Sequence, residues 1–438
     1  MIALLLLACK PAMLVVSDLH GDKVFVTNAE TGHITGEVDV DGTWTADCRA
    51  ADDKHRFCLV YQSHERALDD GSAEIDLTFT PVGNEDSANG DDYMDFGGRI
   101  VGERFPEGVS MDTPDTRWQA DHLDFSKVDP DQLICKRDPL DPCEPAAGQS
   151  VDAVRACQLY WPHEFQFISE DADSIQLAVA DTRNHRVLWL DAPLQPSPSP
   201  GPPSTGTCAT VTEVVGGTSD PTVPGGSADW DIYTSVNGLN LWTDDAGDRH
   251  LYLSIKDTIG DPTQTPGDGH GKILEWSETG GWHQEWEFPP QVNDASALPS
   301  FVNSPHGISH DDTRIYFAQS LGDSDAWNDG VGGTFTVLDR DGTYDFDVVL
   351  PNTVVRYARD ITPLGDGRFA LVDSGTKGDE HAPADTHLWL AKLPDAAKST
   401  LSGVWTADHA EQDLETGTFV ARPAYKDAWV LYSAEILE

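Results

Sequence analysis

The chain has 438 residues, 39% of them hydrophobic, with 13 tryptophans. It carries 75 acidic residues (55 Asp, 20 Glu) against 28 basic ones, for a formal net charge of −47. Such a surface repels phosphate backbones and anionic membrane faces, which excludes nucleic acid as a partner and suits salty surroundings where counter-ions screen self-repulsion.

Residues 1–10 read MIALLLLACK. Leu6-Leu7-Ala8-Cys9 resembles the lipobox of bacterial lipoproteins, which implies a signal segment over residues 1–9 and lipidation at Cys9. The apolar run is too short to span a bilayer, which takes about 20 residues, so the membrane is reached only through a lipid anchor. The alternative is a buried first strand. The resemblance implies an exported protein of the cell envelope, held at the outer membrane or the surface.

Without Cys9, six cysteines remain: Cys48, Cys58, Cys135, Cys143, Cys157 and Cys208. An even number in an exported chain reads as a set of disulfides. The preferred pairs are Cys48 with Cys58 across a hairpin, Cys135 with Cys143 in a Pro-rich loop, and Cys157 with Cys208 by elimination. The Cys-x₂₋₄-Cys spacing of structural zinc sites is absent.

The first strand pattern is Val24-Phe25-Val26-Thr27-Asn28, followed by a turn at Thr31-Gly32 and a second alternating run from Ile34 to Val40. This is a hairpin. Residues 57–61 and 74–81 add strands. Residues 83–158 are acidic, Pro-rich and cysteine-bearing, and read as an insertion. Residues 194–206 are Pro/Ser-rich and read as an extended loop. Helical periodicity is confined to short stretches near 151–156 and 394–399.

Four later segments share one pattern. A polar residue opens an inner strand, and a second strand ends in small or polar residues. His163 to Phe167 leads to Leu177 to Asp181, and Asn237 to Leu241 leads to Leu251 to Ser254. His306 to Ile308 leads to Ile315 to Gln319, and Asp360 to Leu364 leads to Phe369 to Asp373. Third strands follow at 187–190, 272–276, 334–338 and 387–393. Mostly-strand repeats of about 40–55 residues are the signature of a β-propeller, whose sheets cover one another's faces. The expectation is an all-β single propeller over residues 10–438, with about six four-stranded blades (five to seven fit). The final run, Ala428 to Tyr432, would close the ring.

Ala180-Asp181-Thr182-Arg183-Asn184-His185-Arg186-Val187-Leu188 resembles the repeat core of NHL propellers. The resemblance implies that Asp181, Asn184, His185 and Arg186 shape an inter-strand turn and lock neighbouring blades. NHL propellers are recognition platforms more often than enzymes. A second resemblance is to bacterial arylsulfotransferases. It rests on Asp229-Trp230-Asp231 with Ser235-Val236-Asn237, on Leu253 to Asp257, and on Ser304-Pro305-His306-Gly307. It implies sulfate transfer by central histidines and an arginine, with His306 at a family histidine position. Thr234 stands where that family would place another.

Residues that open inner strands gather at one end of a propeller's centre, the default place for a site. These are His163, Asn237, His306 and Asp360, with Arg359 and Arg356 nearby. Histidine moves protons or attacks as a nucleophile, and an arginine fork holds an anion. His306, His163 and Arg359 are the catalytic candidates; Asn237, Asp360 and Arg356 are the binding candidates. The competing role is to hold water and cap strand ends. His310, before Asp311-Asp312, reads as a loop residue.

Asp323, Asp325 and Asp329 have calcium-like spacing, but Trp327 interrupts it and the distal Glu is missing. No cofactor is expected, with calcium the exception to consider. Trp282, Trp286 and Trp327 suit core packing or, if exposed, stacking on sugars. No nucleophile elbow or phosphate-binding Gly-Lys-Ser/Thr loop occurs. The leading expectation is therefore a monomeric, anchored platform for a protein, glycan or small-molecule ligand. An arylsulfotransferase-like enzyme is the alternative.

Overall fold

The computed structural model describes residues 12–18, 23–39, 57–67, 73–82, 100–106, 116–120, 122–128, 137–138, 141–145, 157, 159, 162–171, 173–184, 186–196, 208–216, 236–255, 272–286, 305–319, 331–340, 344–351, 355, 358–374, 387–392, 402–406, 411–412 and 431–437. The fold is all-β; the described residues contain no α-helix and one 3₁₀ turn, Thr182–Asn184. Both stretches with helical periodicity lie outside the described residues.

In chain order, β1 (Met13–Asp18), β2 (Lys23–Asn28) and β3 (Ile34–Asp39) come first. Next are β4 (Phe57–Ala67), β5 (Ala73–Val82), β6 (Ile100–Pro106), β7 (Thr116–Ala120) and β8 (His122–Asp124). A small pair, β9 (Arg137–Asp138) and β10 (Asp141–Pro145), precedes β11 (Pro162–Glu170), β12 (Ser174–Asp181), β13 (Arg186–Pro196) and β14 (Cys208–Gly216). Then come β15 (Val236–Thr243), β16 (Arg249–Ile255), β17 (Lys272–Ser277) and β18 (Gly281–Trp286). They are followed by β19 (Pro305–His310), β20 (Arg314–Gln319), β21 (Val331–Asp339) and β22 (Tyr344–Pro351). The last group is β23 (Ala358–Gly365), β24 (Arg368–Asp373), β25 (His387–Lys392), β26 (Ser402–Thr406), β27 (Glu411–Gln412) and β28 (Leu431–Leu437).

Antiparallel pairing groups these strands into meanders: β15 to β18, β19 to β22, and β23 to β27. The sheet of β1, β2 and β3 takes β28 as its fourth strand, joining the two ends of the chain, with Leu14 opposite Ile436. Two more meanders, β4 to β7 and β11 to β14, share the long β13. Its first half pairs with β14 and its last residues, Leu194 to Pro196, pair with β7. Two stretches therefore differ from the sequence reading. Within 83–158, β6 and β7 complete a sheet, paired from Ile100 opposite Ala120 to Arg104 opposite Thr116. The Pro/Ser-rich stretch begins inside β13.

The first strands of the sheets lie side by side in turn. β11 lies against β15, β15 against β19, β19 against β23, and β23 against β28; β4 touches both β28 and β11. The core lies between sheets. Ala178, Val187 and Trp189 pack on Leu239, Leu251 and Trp276. Tyr252 and Ile273 pack on Ile308 and Phe317, and Phe335 and Val337 on Phe369 and Trp389. Leu14, Val16 and Phe25 pack on Val372 and Leu388. A second strand is thus covered on both faces. That is why LAVAD, LYLSI, IYFAQ and FALVD are continuous apolar runs rather than alternating ones.

Candidate functional site

Short polar side chains tie one sheet to the backbone of the next. The hydroxyl of Thr182 donates to the carbonyl of Val236 at 2.5 Å, and Ser254 Oγ donates to the His306 carbonyl at 2.5 Å. Ser309 Oγ donates to the Ile361 carbonyl at 2.5 Å, and Thr362 Oγ1 to the Ala434 carbonyl. Buried backbone groups need such partners, and here the partners also set inter-sheet spacing. Two glycines allow the close approach. A Cβ on Gly238 would stand 2.2 Å from the His306 carbonyl oxygen, and one on Gly307 would stand 2.0 Å from Asp360 Oδ1. Glu164 on β11 accepts from the Leu239 amide at 3.1 Å.

This backbone brings Asn237, His306, Arg359 and Asp360 together at the opening ends of β15, β19 and β23. Asn237, His306 and Asp360 are buried, and Arg359 is half-buried. Asn237 Nδ2 lies 3.4 Å from the Pro305 carbonyl and 3.1 Å from His306 Nδ1. A carbonyl only accepts, so this nitrogen is the amide donor. The same amide nitrogen faces His306 Nδ1. Arg359 Nη1 lies 3.4 Å from both ring nitrogens, close enough to act as a fixed positive charge.

Asp360 accepts from the Ile361 amide at 2.9 Å and the Ala434 amide at 3.0 Å. Burial nevertheless raises its carboxyl to about 6, outweighing the two amide bonds that favour the ionised form. Asp360 therefore anchors β28 to β23 beside the His306–Arg359 pair.

The other sequence candidates fall elsewhere. His163 is the second residue of β11, and its side chain lies outside the described residues. Arg356, Asp323, Asp325, Asp329, Cys9, Cys48 and Cys135 also lie outside them, and so do the side chains of Cys58, Cys143 and Cys208. Cys157 is buried and disulfide-bonded. His310, expected in a loop, is the last residue of β19, where its Nδ1 meets Asn240 Oδ1. Burial first, then the nearby Arg340 charge, lowers His310 to about 4. Trp282 and Trp286 lie on β18, with side chains outside the described residues.

At the turn after β12, Asp181 Oδ2 accepts from Arg186 Nε at 2.6 Å and from Asn184 Nδ2 at 2.8 Å. Arg186 also covers the Phe125 ring, 5.4 Å from its centroid. The side chain of His185 lies outside the described residues. The related β24–β25 position holds Asp373 and His387, with Oδ2 and Nδ1 3.9 Å apart.

No protein-family profile matches the chain, and no curated protein matches it. Among solved structures, it is similar to a protein of unknown function from Bacteroides caccae, at 9% identity and a TM-score of 0.40, covering 98% of this chain and 99% of that one. It is also similar to the dihydro-heme d1 dehydrogenase NirN, at 9% identity and a TM-score of 0.34, covering 90% and 75% of the two chains. A third is an aldose sugar dehydrogenase from Streptomyces coelicolor in its PQQ-bound form, at 12% identity and a TM-score of 0.28, covering 76% and 93%. Similarity this distant carries neither activity nor ligand to this chain.

Proposed function

We propose that the protein is a six-bladed propeller of the cell envelope that binds an anionic group at its centre. The six first strands, each the neighbour of the next, support the blade count. β28 beside β1 would be the closing strand. The Asp181–Asn184–Arg186 turn supports an NHL-like blade. Export and anchoring rest on the Leu6-to-Cys9 motif and on the Cys157 disulfide.

The observation that carries the ligand class is the Arg359 guanidinium held against His306. Asn237 Nδ2 lies 3.1 Å from His306 Nδ1 and Arg359 Nη1 lies 3.4 Å from both ring nitrogens, so an amide, an imidazole and a guanidinium converge at the opening of these strands. An arginine fork beside an imidazole suits a sulfate, phosphate or carboxylate. A binding platform is therefore the first reading. The His306–Arg359 contact keeps an arylsulfotransferase-like transfer as the second.

The test uses the exported chain in moderate salt with 4-nitrophenyl sulfate. Binding and phenol release are both measured. The expected result is saturable binding without turnover, weakened about 10–100-fold in Arg359→Ala, as loss of a charged hydrogen-bond partner costs about 1.5–3 kcal/mol. Turnover that disappears in His306→Ala would establish the transfer reading instead. Binding that Arg359→Ala leaves unchanged would remove this centre from the account.

A further inference from the structure

A second cluster lies at the other end of β15, across the turn to β16. Asp244, Asp248 and His250 each offer one ligand atom, and these atoms lie within 4.8 Å of one another. All three residues are partly buried. Their orientation is fixed from outside the cluster. His250 stacks on Trp242 with ring centroids 4.2 Å apart and planes 16° apart. Its Nδ1 lies 3.2 Å from Glu275 Oε1 on β17. Asp248 is held by Thr279, which donates its amide at 3.1 Å and its hydroxyl at 2.5 Å. Asp244 Oδ1 accepts the amides of Ala246 and Asp248, each at 2.8 Å, leaving Oδ2 directed at the histidine.

His250 Nε2 is enclosed and has no hydrogen-bond partner. It faces Asp244 Oδ2 at 3.6 Å, beyond a charged hydrogen bond. When Nδ1 donates its proton to Glu275, Nε2 presents a lone pair to a carboxylate oxygen. Two such atoms repel unless a cation lies between them. Ligand atoms about 2.0–2.1 Å from a tetrahedral ion stand about 3.4 Å apart, near the observed spacing. A carboxylate behind the distal nitrogen is also the usual support of a metal-bound histidine, fixing tautomer and ring angle.

We propose that Asp244, Asp248 and His250 bind a divalent transition-metal ion, with zinc the best match and Glu275 as the positioning residue. One imidazole with two carboxylates suits zinc or manganese, whereas calcium takes oxygen ligands. Three protein ligands leave a fourth position for solvent or a partner group. This site is separate from the central one, since Asn237 and Asp244 stand at opposite ends of β15.

The test is calorimetric titration of the chelator-treated full chain with zinc, and with calcium in parallel. Asp244→Asn is the primary variant because its side-chain oxygen still accepts the turn amides while the ligand charge is lost. The expected result is one tight zinc site in the parent, weakened at least tenfold in Asp244→Asn and in His250→Gln. Glu275→Gln is expected to weaken zinc about 10–100-fold while leaving the stoichiometry unchanged. Calcium should not compete at equal concentration. The proposal is overturned if both ligand variants bind zinc as the parent does, whether or not they melt at a lower temperature. That outcome would mean an imidazolium bridging Asp244 and Glu275, with zinc held elsewhere on the acidic surface.

Discussion

Replacing Arg186 with Met should destabilise the fold more than any surface change of similar size. Asp181 is wholly buried and Arg186 is 2% exposed, so water cannot take the place of a lost partner. The parent carboxylate accepts from Arg186 at 2.6 Å and from Asn184 at 2.8 Å. Methionine roughly fills the volume over Phe125 but removes the charged donor from a carboxylate that water does not reach. Breaking a buried pair in this way costs about 3–5 kcal/mol. Removing both charges in Asp181→Asn/Arg186→Met should cost clearly less than the two single changes together. The assay is urea unfolding followed by tryptophan fluorescence and far-UV circular dichroism. The turn also carries Thr182, whose hydroxyl holds the Val236 carbonyl, so loosening should reach β15 and lower both signals together. An Arg186→Met midpoint equivalent to less than about 1 kcal/mol would refute the reasoning, since that is the size of a solvent-exposed pair.

Gly307→Ala tests the close approach of β19 and β23. Its Cβ would fall 2.9 Å from the Asp360 Cα, where backbone cannot yield cheaply, so a loss of about 1–3 kcal/mol is expected in the same assay, with weaker anion binding. Asp360 gives a pH prediction. Its carboxyl keeps its proton to about 6 in the folded state against an ordinary 3.8, so the folded protein binds more protons across that window. Its contribution is most favourable below the lower value and falls as pH rises through the window, by at most about 3 kcal/mol. Unfolding of the parent and Asp360→Asn, compared from about pH 4 to about pH 7, should show the parent losing ground over that range. A constant difference would show that the folded carboxyl titrates normally.

How far the sequence revealed this architecture depended on burial. The second strands stood out because both faces are covered, leaving uninterrupted runs such as Leu251 to Ile255. The polar openers His306 and Asp360 stood out against them. β6 and β7 did not, since they sit in an acidic, Pro-rich stretch and neither IVGERFP nor TRWQA has a clear two-residue period. Glu164, Ser254 and Thr362 were not legible as site-building residues either. Each looks like an ordinary residue of its strand, and each partner is 52 to 75 positions away. The Asp244–His250 cluster was hidden for a related reason. In a chain with 75 acidic residues, two of them in a turn carry no signal until Glu275 is seen behind the histidine.

The charge of the whole protein should give the two proposed sites opposite salt responses. A net −47 repels an incoming anion and draws in a cation, and both effects act mainly on the rate of encounter. Salt near 0.1 M screens interactions beyond about 10 Å but hardly weakens contacts inside a buried site. Anion association at His306 and Arg359 should therefore quicken as salt is raised, while zinc association at His250 should slow. The dissociation rates should move little in either case. Stopped-flow association of each ligand across a salt series checks this. Parallel trends for the two ligands would refute the steering argument, because one field must act oppositely on ligands of opposite charge.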